Sequence, residues 1–355
     1  MRHWPIFVPP AAAAVLAAAV LLPMGPVLVS ACALALVAAV IASVHHAEVI
    51  AHRVGEPLGT LVLALAITVI EVALIVSFMV AGAPGSTTLA RDTIFATVMI
   101  ICNGVLGICL LAGGLRHGEQ SFRVEGAGPA FAALVALATL VLVIPVFTKT
   151  TPGPVYSSSQ LVFVALSSLV LWCVFIFFQT MRHRDFFRPE SKSSNEELHA
   201  LPPSTAKAWS SFGLLIISLI AVVGLAKALS PSIEAAVETA GAPHAVVGIA
   251  VALLVLLPET WAAIRAALAN RLQTSLNLAL GSGLASIGLS TPTVVVASFL
   301  LDTPLVLGLE PLELALLALT FIVSTIALGT GRTNLMMGAV QLVIFAAFLF
   351  LALVP

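Results

Sequence analysis

Two acidic residues lie inside long apolar segments of this 355-residue chain. Glu71 is in the middle of one segment and Glu259 in the middle of another, and these segments hold matching places in the two halves of the chain. A carboxylate at bilayer depth costs several kcal/mol, so it is rarely found there without a function. Two such carboxylates, one from each half, could hold either a cation or protons in a single pocket.

The composition is that of an integral membrane protein. The chain is 60% hydrophobic and 9% charged, with a mean hydropathy of +1.15, whereas soluble domains carry about 25% charged residues. The net charge of -1, without a basic tail, argues against nucleic-acid binding. The four cysteines lie in apolar segments without metal-type spacing, so they are interpreted as small core residues.

Apolar runs long enough to cross a bilayer, about 20 residues each, occur eleven times. They cover residues 6–22, 26–44, 58–81, 92–112, 128–147, 159–180, 209–229, 244–265, 274–300, 309–329 and 333–354. The first run could be a signal peptide, but no small-x-small cleavage site follows it, which favours a membrane helix. The sequence therefore predicts an all-α polytopic membrane protein with eleven transmembrane helices.

The distribution of basic residues predicts the orientation. With the N-terminus inside, twelve of the 15 lysines and arginines fall in cytoplasmic segments and three fall on the opposite side. Cytoplasmic loops of membrane proteins carry this excess of positive charge. We therefore expect a cytoplasmic N-terminus and a periplasmic or extracellular C-terminus.

The longest loop divides the chain into two halves. Residues 182–208 mix basic and acidic side chains and are interpreted as a solvated cytoplasmic linker, with regulatory cation binding as the alternative. Residues 1–24 form an extra N-terminal helix, and five helices lie in each of the segments 25–181 and 209–355. With an odd number of helices per half, the two halves cross the membrane in opposite orientations. This is the inverted-repeat plan of many secondary transporters.

Small and polar residues follow each buried glutamate on the next helix. They include Asn103 in the first half, and Ser282 and Ser286 in a stretch rich in Gly, Ser and Thr in the second. Such residues allow helices to approach closely and can supply oxygen atoms, which hard cations prefer as ligands. Pro258 can free a backbone carbonyl beside Glu259. The alternatives are hydrogen bonds between helices and a simple kink.

Four stretches resemble a known family. They read GEPLGT at residues 55–60, AITVIEVALI at 66–75, LPE at 257–259 and LQTSLNLALGSGLASIG at 272–288. They resemble the two alpha-repeats of the cation/proton exchangers in the calcium/cation antiporter superfamily. Within it, the chain is most similar to the bacterial calcium (sodium, potassium)/proton antiporters. The resemblance is strong over residues 45–300.

This resemblance implies a ten-helix core of two inverted five-helix repeats in a bacterial inner membrane. It also implies that Ca2+ and H+ compete for Glu71 and Glu259. Further positions match the ligand-bearing stretches of the repeats, namely Thr68, Asn103, Ser282 and Ser286.

The chain also departs from the family pattern. That pattern places Gly-Asn-Ala shortly before each repeat glutamate, but here residues 67–69 read ITV and residues 256–258 read LLP. Fewer side-chain oxygens therefore stand next to the carboxylates. This leaves Na+ or K+ open as the transported cation in place of Ca2+.

The charges of the two glutamates suggest the mechanism. Two ionised glutamates neutralise one divalent cation, and two protons neutralise the same pair. The empty dianion is the costly state in a low-dielectric pocket, so it should reorient poorly. We therefore expect secondary active cation/proton antiport by alternating access. The expected partners are the lipid bilayer, inorganic cations and protons, with no resident cofactor and the oligomeric state left open.

Other functions and sites are less favoured by the residues. An intramembrane enzyme would need a catalytic motif, but the chain has no His-Glu-x-x-His sequence and no nucleophile elbow. A channel is expected to form a symmetric pore from an oligomer and to lack proton coupling. His45, Glu48 and His52 have helical spacing and could bind a metal or sense pH, although an interfacial polar face is the favoured interpretation.

Overall fold

The computed structural model describes residues 4–55, 58–81, 85–187 and 203–354, without the side chains of residues 58–61 and 81. Eleven helices in this part of the chain are long and apolar enough to cross a membrane, which confirms the predicted fold class. They are α1 (Trp4–Leu21), α2 (Pro26–Val54), α3 (Leu58–Ala81), α4 (Leu89–His117), α5 (Val124–Phe147), α6 (Ser158–Arg182), α7 (Thr205–Ala240), α8 (Ala245–Leu268), α9 (Leu272–Leu301), α10 (Pro311–Leu328) and α11 (Leu335–Leu353).

Short irregular elements interrupt or connect these helices. π-Helical turns occupy Ile100–Val105 in α4, Thr139–Val143 in α5 and Phe178–Arg182 at the end of α6, and a 3-10 turn follows at Arg184–Phe187. Two strands, β1 (Gln120–Ser121) and β2 (Arg332–Thr333), pair antiparallel between helices. Most of the predicted linker, residues 188–202, lies outside the described residues.

Two helices are longer than their apolar runs predict. α2 continues through its polar last turns to Val54 and ends where Gly55 adopts a φ of +78°. α7 continues to Ala240 and ends at Gly241 with a φ of +63°. Hydropathy detects the part of a helix that matches the bilayer, whereas the helix itself ends where a glycine can adopt the left-handed conformation.

The first helices of the two halves pack against each other. α2 and α7 share the most extensive helix–helix interface of the described chain, and the extra helix α1 packs on both. A hydrogen bond also joins α1 to α2, with 2.9 Å between the ring nitrogen Nε2 of His46 and the carbonyl oxygen of Pro5. His45 lies against Trp4, with ring centroids 6.0 Å apart.

His45, Glu48 and His52 have different surroundings. No group of three His, Cys, Asp or Glu side chains in the described residues is placed to hold a metal ion, and a metal site is the less favoured interpretation of their spacing. His45 packs against Trp4 of α1, and Glu48 interacts electrostatically with Glu259. The polar end of α2 therefore contacts the extra helix on one face and approaches Glu259 with another residue.

Glycines in α8 and α9 let neighbouring helices approach closely. A Cβ atom on Gly288 would lie 2.7 Å from Cβ of Trp172 in α6. A Cβ atom on Gly248 would lie 2.8 Å from Cβ of Asp92 in α4. The small residues of α8 and α9 therefore set the distances between the helices that surround the buried glutamates.

We expect Gly288→Ala to destabilise the protein, because the added methyl group would overlap Trp172 and push α6 away from α9. Overpacking of this kind costs about 1–3 kcal/mol. Gly281→Ala is the matched control on the same helix, since a Cβ atom on Gly281 would have no neighbouring atom within 4 Å. The thermal stability of both variants can be measured as the fraction of protein that stays monodisperse in detergent on heating. Equal midpoint temperatures for Gly288→Ala and Gly281→Ala would contradict the packing argument.

Candidate functional site

A cavity of about 400 Å³ penetrates the helix bundle. Its walls come from the first half of α3, the end of α6 with the turn that follows, and the first half of α9, with Glu259 of α8 also facing it. Thr274 and Ser286 of α9 both line the cavity and are 12 residues apart, which corresponds to about 18 Å along a helix. The cavity therefore runs from the side of the 184–187 turn into the middle of the bundle.

Glu259 faces this cavity with its carboxylate unpaired. Both of its carboxylate oxygens are buried and have no hydrogen-bond partner among the described residues. A buried charged group without partners is costly, so it marks a position where a cation, a proton or water is expected to bind. Pro258 precedes it inside α8, as the sequence indicates.

Glu71 is more deeply buried than Glu259, and it is hydrogen-bonded. Its side chain is 2% exposed, and it does not line the cavity. The hydroxyl of Ser286 on α9 lies 2.7 Å from Oε1 and 2.8 Å from Oε2 of this carboxylate. An electrostatic interaction links Glu259 with Glu48 of α2 and with Glu71. Ser286 lines the cavity that Glu259 also faces, so its contact with Glu71 connects that carboxylate to the cavity wall.

The other predicted ligands occupy different environments. Thr68 and Ser282 line the cavity, and the hydroxyl of Thr68 donates to the carbonyl oxygen of Ala64 at 2.9 Å. Asn103 is fully buried and lies outside the cavity lining. Its amide nitrogen donates to the hydroxyl of Thr320 on α10 at 2.9 Å. Its oxygen Oδ1 has no partner in the described chain.

Sequence reasoning missed the polar residues near the mouth of the cavity. They are Gln179, Thr180, Arg184 and Thr274, with Asn277 treated as only one of several polar residues on its helix. Nothing in the hydrophobic pattern or the motifs of the last turn of α6 indicates that it lines a cavity together with α9. Only the packing of α6 against α9 brings these side chains together.

Asn277 holds the mouth of the cavity together. Its amide nitrogen donates to the carbonyl oxygen of Phe187 at 2.6 Å, and its amide oxygen accepts from Gln273 at 2.9 Å. Gln273 in turn accepts from the backbone nitrogen of Arg123 at 2.7 Å. This chain of hydrogen bonds joins α9, the start of α5 and the 184–187 turn, so Asn277 has a structural role in this conformation.

A buried ion pair lies at the start of α4, outside the cavity lining. Arg91 and Asp92 form a buried ion pair with 2.8 Å between Nε and Oδ1, and their side chains are 10% and 4% exposed. Asp92 also accepts from Thr88 at 3.0 Å and packs against Gly248 of α8. The start of α4 is therefore packed closely against α8.

Comparison with known proteins supports the same class of molecule. The family model described as sodium/calcium exchanger protein matches residues 24–181 and 210–354 of this chain. The chain belongs to this family. The finding confirms the resemblance to cation exchangers, and the family is one of transporters rather than enzymes.

Two curated relatives match most of the chain. The ionic transporter y4hA of Sinorhizobium fredii is 50% identical over 321 residues, which are 90% of this chain and 87% of that protein. The sodium-potassium/proton antiporter ChaA of Escherichia coli is 37% identical over 309 residues, which are 86% of this chain and 83% of that protein. Both matches span the two halves of this multi-pass membrane protein.

A solved structure confirms the fold. The selenium-substituted Ca2+/H+ antiporter protein YfkE superposes with a TM-score of 0.73 at 15% sequence identity, covering 99% of each chain. At this identity the likeness concerns the architecture alone. The two chains therefore share the arrangement of their helices.

Proposed function

We propose that this chain is a secondary active antiporter that exports Ca2+ in exchange for H+ by alternating access. The observation that carries the proposal is a cavity that reaches Glu259 from one side of the bundle, with Glu71 hydrogen-bonded to Ser286 of the cavity wall and interacting electrostatically with Glu259. Two ionised carboxylates balance one divalent cation or two protons. Since the empty dianion is the costly state, the loaded forms reorient and the two substrates exchange.

Further oxygen ligands complete the proposed cation site. Thr68 and Ser282 face the cavity beside Glu259, and their hydroxyl oxygens are ligands that hard cations accept. The unpaired oxygen of Asn103 is proposed to join them in a conformation in which α4 lies closer to Glu259. Ser286 contacts the proposed site by donating a hydrogen bond to the carboxylate of Glu71.

We also propose the orientation and division of the chain. The excess of basic residues places the N-terminus and the 182–208 linker in the cytoplasm of a bacterial inner membrane. The cavity then opens to the cytoplasm, where an exporter loads its cation. Two separately matched segments, 24–181 and 210–354, support the proposed repeats at 25–181 and 209–355 on either side of the linker.

Exchange of Na+ or K+ for protons is the second candidate. The specific observation in its favour is the 37% identity to the sodium-potassium/proton antiporter ChaA. The residues that precede each glutamate agree with it, since ITV and LLP offer few side-chain oxygens for a divalent cation. Both candidates use the same two glutamates, and they differ in the number of protons that one cation replaces.

Proteoliposomes with a pH-sensitive dye inside would test the function. We expect external Ca2+ to drive proton efflux from vesicles that contain the protein, and an imposed proton gradient to drive Ca2+ accumulation that a protonophore abolishes. Na+ and K+ are tested separately in the same preparation. Cation flux that is indifferent to the proton gradient would identify a passive channel and contradict antiport.

Cation affinity is expected to increase with pH, because the carboxylates must lose their protons before they bind a metal. If Ca2+ displaces two protons, the logarithm of the apparent affinity should rise by about two per pH unit in the acidic range. The measurement is the half-saturating Ca2+ concentration for transport at a series of pH values from acidic to weakly alkaline. An affinity that is independent of pH would contradict competition between cation and proton.

A further inference from the structure

The two glutamates differ in their access to the cavity. Glu259 lines the cavity, and neither of its carboxylate oxygens has a partner among the described residues. Glu71 is 2% exposed and absent from the cavity lining. Inverted repeats would make the two residues equivalent, so their difference is a property of this conformation.

Ser286 produces this difference. It lines the cavity, and its hydroxyl lies within 2.8 Å of both carboxylate oxygens of Glu71. A serine hydroxyl has one proton, so it donates to one of the two carboxylate oxygens at a time, and its oxygen atom lies against Glu71 on the cavity side. A cation that arrives through the cavity therefore meets unpartnered carboxylate oxygens on Glu259, whereas Glu71 is hydrogen-bonded to Ser286.

We propose that the cation binds Glu259 first and reaches Glu71 only after Ser286 has turned its hydroxyl away. Ser286 is then a positioning residue that keeps Glu71 covered until the cavity is loaded. This inference rests on the proposed function, because it orders the binding steps at the same pair of carboxylates. It requires no contact beyond those that the structure shows around Glu71.

The proposal assigns Ser286 a role opposite to that of a ligand. A ligand would bind the cation and increase its affinity, whereas a competing donor lowers the affinity that Glu71 can offer. Hydrogen bonds to charged groups are strong enough for their loss to change an equilibrium about tenfold. Ser282 lies one turn earlier on α9 and lines the same cavity, and no hydrogen bond joins it to Glu71 in the described part of the chain.

Calorimetric titration of the purified protein with CaCl2, and separately with NaCl and KCl, would test the order of binding. We expect Glu71→Gln to retain weakened but measurable cation binding, because Glu259 remains open to the cavity. Glu259→Gln should show no measurable binding. If Glu71→Gln loses binding as completely as Glu259→Gln does, the order is wrong.

A double-mutant comparison would test the role of Ser286. Ser286→Ala should raise cation affinity about tenfold in the wild-type background and leave it unchanged in the Glu71→Gln background. Ser286→Thr keeps the hydroxyl and should restore the original affinity. A fall in affinity with Ser286→Ala in both backgrounds would show that Ser286 is a ligand and would overturn the proposal.

Failure of this inference differs from failure of the proposed function. If wild-type protein shows no proton-coupled cation transport in proteoliposomes, the function itself is wrong. If coupling is present but the two glutamine variants lose affinity equally, only the order of binding is wrong. Ser282→Ala is the comparison of opposite sign, because it removes a proposed ligand from the same wall and should lower the affinity.

Discussion

Glu71→Gln and Glu259→Gln are each expected to lower the rate of proton-coupled cation transport about a hundredfold or more. Each substitution keeps the shape of the side chain and removes one negative charge from the buried pair. The remaining glutamate can neither balance a divalent cation nor carry the second proton. Initial rates of cation-driven proton movement in vesicles, measured at matched protein content, would show the loss.

Glu119→Gln is the control for this pair, because Glu119 is exposed between α4 and α5 and lies outside the cavity lining. Its rate should equal that of the wild type. Full activity of both buried variants with Ca2+, Na+ and K+ would mean that the two carboxylates have a structural function. The proposed exchange mechanism would then be wrong.

Arg91→Leu is expected to destabilise the protein strongly, because it leaves the carboxylate of Asp92 buried without its ion-pair partner. Loss of one member of a buried pair costs about 3–5 kcal/mol. The Nη1 nitrogen of Arg91 also donates a hydrogen bond to the carbonyl oxygen of Gly308 at 3.4 Å. The substitution removes this bond as well, and with it a contact to the segment that leads to α10. The midpoint of thermal unfolding in detergent should fall by several degrees.

The double substitution Arg91→Leu with Asp92→Leu separates charge from shape. It removes both charges, so most of the lost stability should return. Asp302→Asn is a control at the same end of the bundle, since Asp302 is exposed and its φ of +51° suits asparagine. Equal destabilisation by the single and double variants would show that the fit against Gly248, rather than the ion pair, stabilises the packing of α4 against α8.

The eleven helices follow from the sequence because hydropathy is a local property. Each span needs about 20 apolar residues, and this requirement does not depend on its neighbours. The ends of α2 and α7 are less predictable from the apolar runs, since helix formation continues beyond the bilayer. Gly55 and Gly241, which end them, are signals that a search for capping glycines could use.

The glutamates are predictable for a different reason. A charge inside an apolar segment is costly, so Glu71 and Glu259 stand out against the sequence around them. Asn103 has no such signal, because an amide in a membrane helix serves equally well as a ligand or as a bond between helices. The structure places its nitrogen on Thr320, 217 residues away in the chain.

The sequence by itself therefore determines which residues are costly to bury and how many helices must bury them, because both depend on composition within one segment. The tertiary structure decides which of those residues meet. Ser286 and Glu71 are 215 residues apart, and only the packing of α9 against α3 places them in contact. The same packing leaves Glu259 open to the cavity and Glu71 covered, since access to a buried group depends on the arrangement of several helices at once.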